Sequence, residues 1–120
     1  MGKDNCSLGS RIKGYEHCYR LFVPKKSFVA VRLDGKSFHS YTKGLKRPFD
    51  KGLMDDMDAT TKYLCENVAC CKVGYVQSDE ITLILTEGQE PGSEPWFGNN
   101  LQKICSITAS MATAKFNQLR

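Results

Sequence analysis

Two acidic breaks in otherwise apolar runs hold the residues best suited to chemistry in this sequence. VAVRLDGKSFHSY (residues 29–41) begins as an apolar strand, breaks at Asp34-Gly35 and then changes character. VGYVQSDEITLIL (73–85) sets Ser78-Asp79-Glu80 between two short apolar runs. Asp-Gly is a strong hairpin signal, and a solvated Asp-Glu hairpin tip is common, so a turn accounts for either break taken alone. A strand-end acid followed by amides that open a helix is a different object, because it presents a carboxylate and free N–H groups to one ligand, as metal–phosphate sites require. Phe38 and Tyr41, three apart with Ser37 and Ser40 between them, have helical rather than strand spacing. Two carboxylates beside a backbone carbonyl at the edge of an antiparallel sheet suit magnesium, which keeps much of its water and fills its shell with phosphate oxygens. Two such ions about 4 Å apart clamp the attacking and leaving oxygens of an in-line displacement, which makes the implied reaction class nucleotidyl transfer.

The elements that must bring these acids together are legible in order. Ser27 to Leu33 alternates and is rich in Val and Phe, as a strand does. Phe49 to Val68 carries Leu53, Met57, Thr60 or Thr61, Leu64 and Val68 at helical spacing. Residues 73–85 read as a hairpin, with β-branched and aromatic residues on both arms. Thr86 to Pro95 has the Gly, Pro and Glu content of a surface loop. From about Asn100 to Leu119, the residues Leu101, Ile104, Thr108, Met111 and Lys115 interleave with Ile107 and Ala114 to give a second amphipathic helix. The first 24 residues form a short helix or arm around Ile12, Tyr15 and Tyr19. The order strand, helix, strand, strand, helix is that of an α+β ferredoxin-like unit without its last strand, so one sheet edge is expected to lie open. In such a unit the first strand and the hairpin lie side by side, and Asp34 and Asp79 can reach one place. There they repel unless cations intervene.

Composition sets the outer limits. The chain of 120 residues, 41% hydrophobic and 25% charged, is read as one soluble domain over 1–120. No apolar run approaches the roughly 20 residues of a membrane span. MGKDNCSLGSRIKGYEHC lacks a signal-peptide core, and Cys6 stands where a myristoylation signal wants Ser or Thr, so the expected location is cytoplasmic and away from membranes. The six cysteines form no C-x-x-C pair, which argues against zinc and for buried free thiols. A formal net charge of +4 is compatible with a polyanionic partner without establishing one.

RLDGKSFHSYTKGLKRPFD, GYVQSDEITLIL and LQKICSITASMATAKFN, in this order and spacing, resemble the amino-terminal half of the tRNA-histidine guanylyltransferase family, with the closer likeness to its 3′-to-5′ RNA polymerase relatives. The resemblance runs from about Gly14 to Asn117. It implies a polymerase palm with an antiparallel sheet, two magnesium ions, GTP or ATP as nucleotide, tRNA as the acceptor of nucleotides at its 5′ end, and assembly into dimers or tetramers. By position, Asp34 and Asp79 resemble the metal-bridging catalytic carboxylates, and Gly35 the residue whose carbonyl binds one ion. Lys36, Ser37, Phe38 and His39 resemble the segment that holds triphosphate and base. Ser78 resembles the nucleotide contact beside the metal acid, Glu80 a further acid needed for activity, and Lys103 a basic residue near the triphosphate. The chain departs from the family's pattern at Asn100, where relatives carry a basic residue. It departs also in length, because the family's carboxy-terminal half is not in this sequence and independent activity is left open. Two other functions share these features: a palm-type nucleotide cyclase, against which RPFD and QSDE argue, and a non-catalytic nucleotide- or RNA-binding module.

Overall fold

The computed structural model describes residues 7–35, 51–87 and 93–120. In β3 (Glu80–Leu85), Ile81, Leu83 and Leu85 are buried while the residues between them are only half-buried, the two-residue alternation of a strand with one face against a core. β1 (Val29–Asp34) and β2 (Cys71–Gln77) pair with β3 on either side, both antiparallel, in the order β1-β3-β2. This is the strand order of a ferredoxin-like unit, and β1 and β2 each keep one hydrogen-bonding edge without a partner strand among the described residues.

Two helices cover one face of the sheet. α2 (Lys51–Asn67) buries Met57, Thr60, Thr61 and Leu64, the stripe expected from its spacing. α3 (Leu101–Leu119) buries Ile104 and Thr108. Leu64, Leu83 and Ile104 are almost completely inaccessible, and each such side chain contributes about 1.5–3 kcal/mol of hydrophobic stabilisation. The buried hydroxyls of Thr60, Thr61 and Thr108 donate to the carbonyls of Asp56, Met57 and Ile104 one turn back, which removes the penalty of burying them unpaired. α2 lies so close to β2 that a Cβ on Gly74 would press on Cys65 Sγ and stand 2.9 Å from Thr61 Cγ2, so only glycine fits there.

Several expectations shift. β1 starts at Val29 rather than Ser27, because Lys26 turns the chain with a left-handed φ of 65° and the pairing with β3 begins at Val29 opposite Leu85. β2 begins at Cys71, with an irregularity between Cys71 and Val73. Leu101 and Ile107 face outward on α3, since the sheet and α2 together cover a narrower stripe than the apolar pattern offers. The described cysteines are free, as expected, but not buried: Cys65, Cys70 and Cys71 are half-buried, and Cys18 and Cys105 exposed. The first helix, α1 (Ser7–His17), has no buried residue and packs on no other described element. No helix among the described residues is long and apolar enough to cross a membrane.

Candidate active site

The register of the sheet decides where the acids meet. Asp34, the last residue of β1, lies directly opposite Glu80, the first of β3, and Gln77 faces Glu80 from the other side. Ser78 and Asp79 form the two-residue connection between β2 and β3. The Gly35 N–H then donates to the Asp79 carbonyl at 3.2 Å, which ties the two acidic breaks together across 44 residues of chain. Tight hairpins of this kind need a positive φ in the loop, and Ser78 supplies it at 55°. A residue other than glycine in that conformation costs about 1–2 kcal/mol, strain of a kind that gathers at functional sites.

Like charges facing each other across an antiparallel pair destabilise it. Arg32, two residues before Asp34 and so on the same outward face of β1, forms an ion pair with Glu80. The hydrogen bond and charge of Glu80, with a smaller contribution from Asp34, raise the Arg32 guanidinium pKa further above its usual value. Arg32 was not anticipated as part of this constellation. Its position two residues before the strand-end acid was the only available signal, and it becomes informative only once β3 is known to lie alongside.

A cleft of about 380 Å³ opens at this end of the sheet, between it and the helices. Asp34, Gly35 and Asp79 contribute to its wall, with Leu33, Ile81 and Met57 from the sheet and α2. α3 adds Phe116 and the small residues Ala109, Ala112 and Thr113, whose short side chains leave the space. The size and largely apolar lining, with a few converging polar groups, are those of small-ligand pockets.

The structure therefore brings together Asp34, Gly35, Ser78, Asp79 and Glu80. Lys36, Ser37, Phe38 and His39 lie outside the described residues. Lys103 is not brought here: it stands on the first turn of α3, where its ammonium sits 5.8 Å from the centre of the Phe97 ring. The cleft is lined by the other half of that helix, roughly 9–21 Å along its axis at 1.5 Å per residue. Asn100, where the family pattern has a basic residue, is the N-cap of α3, and its side chain accepts the Lys103 N–H at 3.2 Å.

The donors at the acidic end are all oxygen, as a hard divalent cation requires. Among the described residues no three carboxylate, imidazole or thiol side chains gather to hold a metal ion by themselves. Two carboxylates and a carbonyl leave most of a coordination shell to water and phosphate, the arrangement that magnesium prefers.

Residues 9–120 match the family Thg1, tRNAHis guanylyltransferase. The chain belongs to this family. Two structures of a bacterial tRNAHis guanylyltransferase-like protein, one in complex with ATP and one with GTP, are 48% identical over 95% of the chain, with TM-scores of 0.91 and 0.92. The tRNAHis guanylyltransferase of Saccharomyces cerevisiae, at 22% identity over 88% of the chain and a TM-score of 0.72, shows the shared fold alone, and it is matched over 46% of its own length. Among curated proteins, an uncharacterized protein of Acanthamoeba polyphaga mimivirus is 29% identical over 94% of the chain, and the tRNA(His) guanylyltransferase of Schizosaccharomyces pombe 25% identical over 88%. The chain spans 50–52% of the bacterial Thg1-like chains and 38–40% of the curated relatives.

Proposed function

We propose that this chain carries the nucleotide-binding acids of a magnesium-dependent nucleotidyltransferase that adds nucleotides to the 5′ end of tRNA. The observation that supports this most is the meeting of Asp34, Gly35 and Asp79 at one sheet end, tied by the Gly35–Asp79 hydrogen bond and opening on the cleft. Asp34, Asp79 and the Gly35 carbonyl would hold two magnesium ions, which when bound lower the pKa of the attacking hydroxyl and neutralise charge developing on phosphate. The chain's own residues supply position. Ser78, held in its strained turn beside Asp79, contacts the nucleotide. Arg32 fixes Glu80 next to the metal acids and offsets its repulsion from Asp34. The apolar cleft wall takes up the base and excludes water from the reacting phosphate. The 3′-hydroxyl of the incoming nucleotide then attacks the activated 5′-phosphate of the tRNA, forming the new P–O bond as the bond to the activating phosphate group breaks and that group leaves with its electron pair.

A second reading, nucleotide binding without turnover, is favoured by one observation: among the described residues the acids Asp34 and Asp79 open on a single shared cleft of about 380 Å³. Phosphoryl transfer depends on orienting both substrates, and these residues orient one. Incubation of the chain with magnesium, ATP or GTP and a 5′-truncated tRNA separates the readings. Extension of the RNA supports the transferase, cyclic nucleotide would point to a palm-type cyclase, and binding without product to a binding module.

A further inference from the structure

The end of the molecule away from the cleft has the opposite character. α3 begins there, and the arm that precedes β1 is fastened to it by backbone. The Leu101 N–H donates to the Leu21 carbonyl at 2.8 Å, the Val23 N–H to the Asn99 carbonyl at 2.9 Å, and the Asn99 side chain to the Pro24 carbonyl at 3.2 Å. Asn99 is almost fully buried in making these contacts. The root of the arm is therefore fixed, with Val23 packed against the core, while its rings are bare: Tyr19 is 82% exposed and Phe28 80%, and Tyr15 and Phe22 are both more than half exposed. Among the described residues only one other aromatic side chain, Tyr75, is exposed by more than half.

Charge is as unevenly placed as the rings. Between residues 7 and 28, Arg11, Lys13, Arg20, Lys25 and Lys26 stand against the single acid Glu16, a net of +4 equal to the formal charge of the whole chain. The remaining residues are neutral in sum. Two of these cations are in ion pairs of different kinds. The exposed pair of Arg20 with Glu16 at 3.5 Å is weak enough to exchange for a phosphate. Lys26 is held at 3.3 Å by Glu87, whose buried carboxylate also accepts the Lys26 N–H at 3.2 Å, and this pair stays closed. Lys103, on the first turn of α3, adds one more cation at the same end.

We infer that the arm from Tyr15 to Phe28, together with the start of α3, is an RNA-binding surface whose exposed rings stack on unpaired bases while its lysines and arginines contact the phosphates between them. Interleaved aromatics and cations on a segment fastened at Leu21 to Pro24 are what single-stranded segments and frayed ends of RNA recognise. Charge complementarity selects this occupant over a second copy of the chain, because Arg20, Lys25, Lys26 and Lys103 against Glu16 give the surface a net of +3, and two such surfaces facing each other would repel. The inference rests on the proposed tRNA substrate and adds where the RNA is held. α3 separates the arm's root from the cleft by roughly 12–24 Å, so an RNA body gripped at one end can present its terminus at the other.

The test uses the full chain with a 5′-truncated tRNA transcript, measuring RNA affinity by fluorescence anisotropy and Mg-ATP binding separately by calorimetry. Tyr19→Ala combined with Phe28→Ala is expected to weaken RNA binding about tenfold or more and leave Mg-ATP binding unchanged. Lys25→Ala is expected to lower the slope of log affinity against log salt by about 0.7, the loss of one phosphate contact. RNA affinity within twofold of the parent in the double variant would overturn the proposal. So would a dimer, seen by sedimentation, that the same substitutions dissociate without changing RNA affinity, since the surface would then belong to a second copy. Absence of Mg-ATP binding in the parent would tell against the acidic site and leave the RNA measurement to judge the arm.

Discussion

The two ends of the sheet are built by different means. At the acidic end, three short strands deliver Asp34, Asp79 and Glu80 to one place through register, a strained turn at Ser78 and a single Gly35–Asp79 hydrogen bond. At the basic end, Asn99 to Leu101 and Leu21 to Pro24 are locked by two backbone bonds, the bond from the Asn99 side chain to the Pro24 carbonyl and a helix cap, and the aromatic side chains of the arm stay exposed. The acidic end sets Asp34 opposite Glu80 across the sheet and offsets that juxtaposition with the Arg32–Glu80 ion pair. The basic end spreads its charge over an exposed arm, where water screens it. This difference predicts that substitutions at the acidic end remove ligand binding with little loss of stability, while those that disturb the frame between the ends do the reverse.

The largest effect is expected at the acidic end. Asp79→Asn removes magnesium-dependent ATP binding below detection by calorimetry while unfolding free energy changes by no more than about 0.5 kcal/mol, because the residue stands outside the core in a loop. Equal loss of binding and thermal stability would show instead that Asp79 holds the fold. Next is the frame. Gly74→Ala forces a methyl against Cys65 and Thr61 and is expected to cost about 1–3 kcal/mol in denaturant unfolding, part of which Cys65→Ala restores. No recovery in the double variant would place the strain elsewhere.

At the basic end, Asn100→Ala removes the cap of α3 and is expected to cost about 1 kcal/mol. Faster amide exchange should appear at Val23 and Leu101, with Mg-ATP binding retained; coupled loss of ATP binding would mean the two ends are not independent. The smallest effect concerns Cys71. Burial, then the neighbouring Cys65 thiol, pushes its pKa up from 9.0 to about 11. The folded state therefore favours the neutral thiol, and the stability this contributes is intact below about pH 9 and lost as pH rises toward 11. A Cys71→Ala variant should lack that part of the alkaline decline in thermal midpoint, and an unchanged decline would assign it to other groups.

Much of this was open to reading from periodicity alone. The stripe of Met57, Thr60, Thr61 and Leu64 on α2 and the alternation of Ile81, Leu83 and Leu85 on β3 record burial one residue at a time, which a local pattern can carry. The exposed Leu101 and Ile107 show the limit of that reading, since they fit the helical stripe as well as Ile104 does and differ only in what lies opposite. Arg32 was illegible for the same reason. Its ion pair with Glu80 joins residues far apart in sequence, and nothing near either one announces the other. The motif that suggested a triphosphate contact for Lys103 could not reveal that the helix carrying it points its other half at the cleft.

What the sequence determined by itself is the inventory: which segments are strands and helices, that acids break two of the strands, and that the excess charge lies before β1. These follow from side-chain periodicity and turn chemistry, which act over a few residues. Only the tertiary structure decided that Asp34 faces Glu80, that Asp79 is bonded to Gly35, and that acids and basic arm occupy opposite ends of one frame. Those relations are set by strand register and helix packing, in which residues tens of positions apart become neighbours because burying the apolar faces of β1, β3, α2 and α3 together leaves few other ways to arrange them.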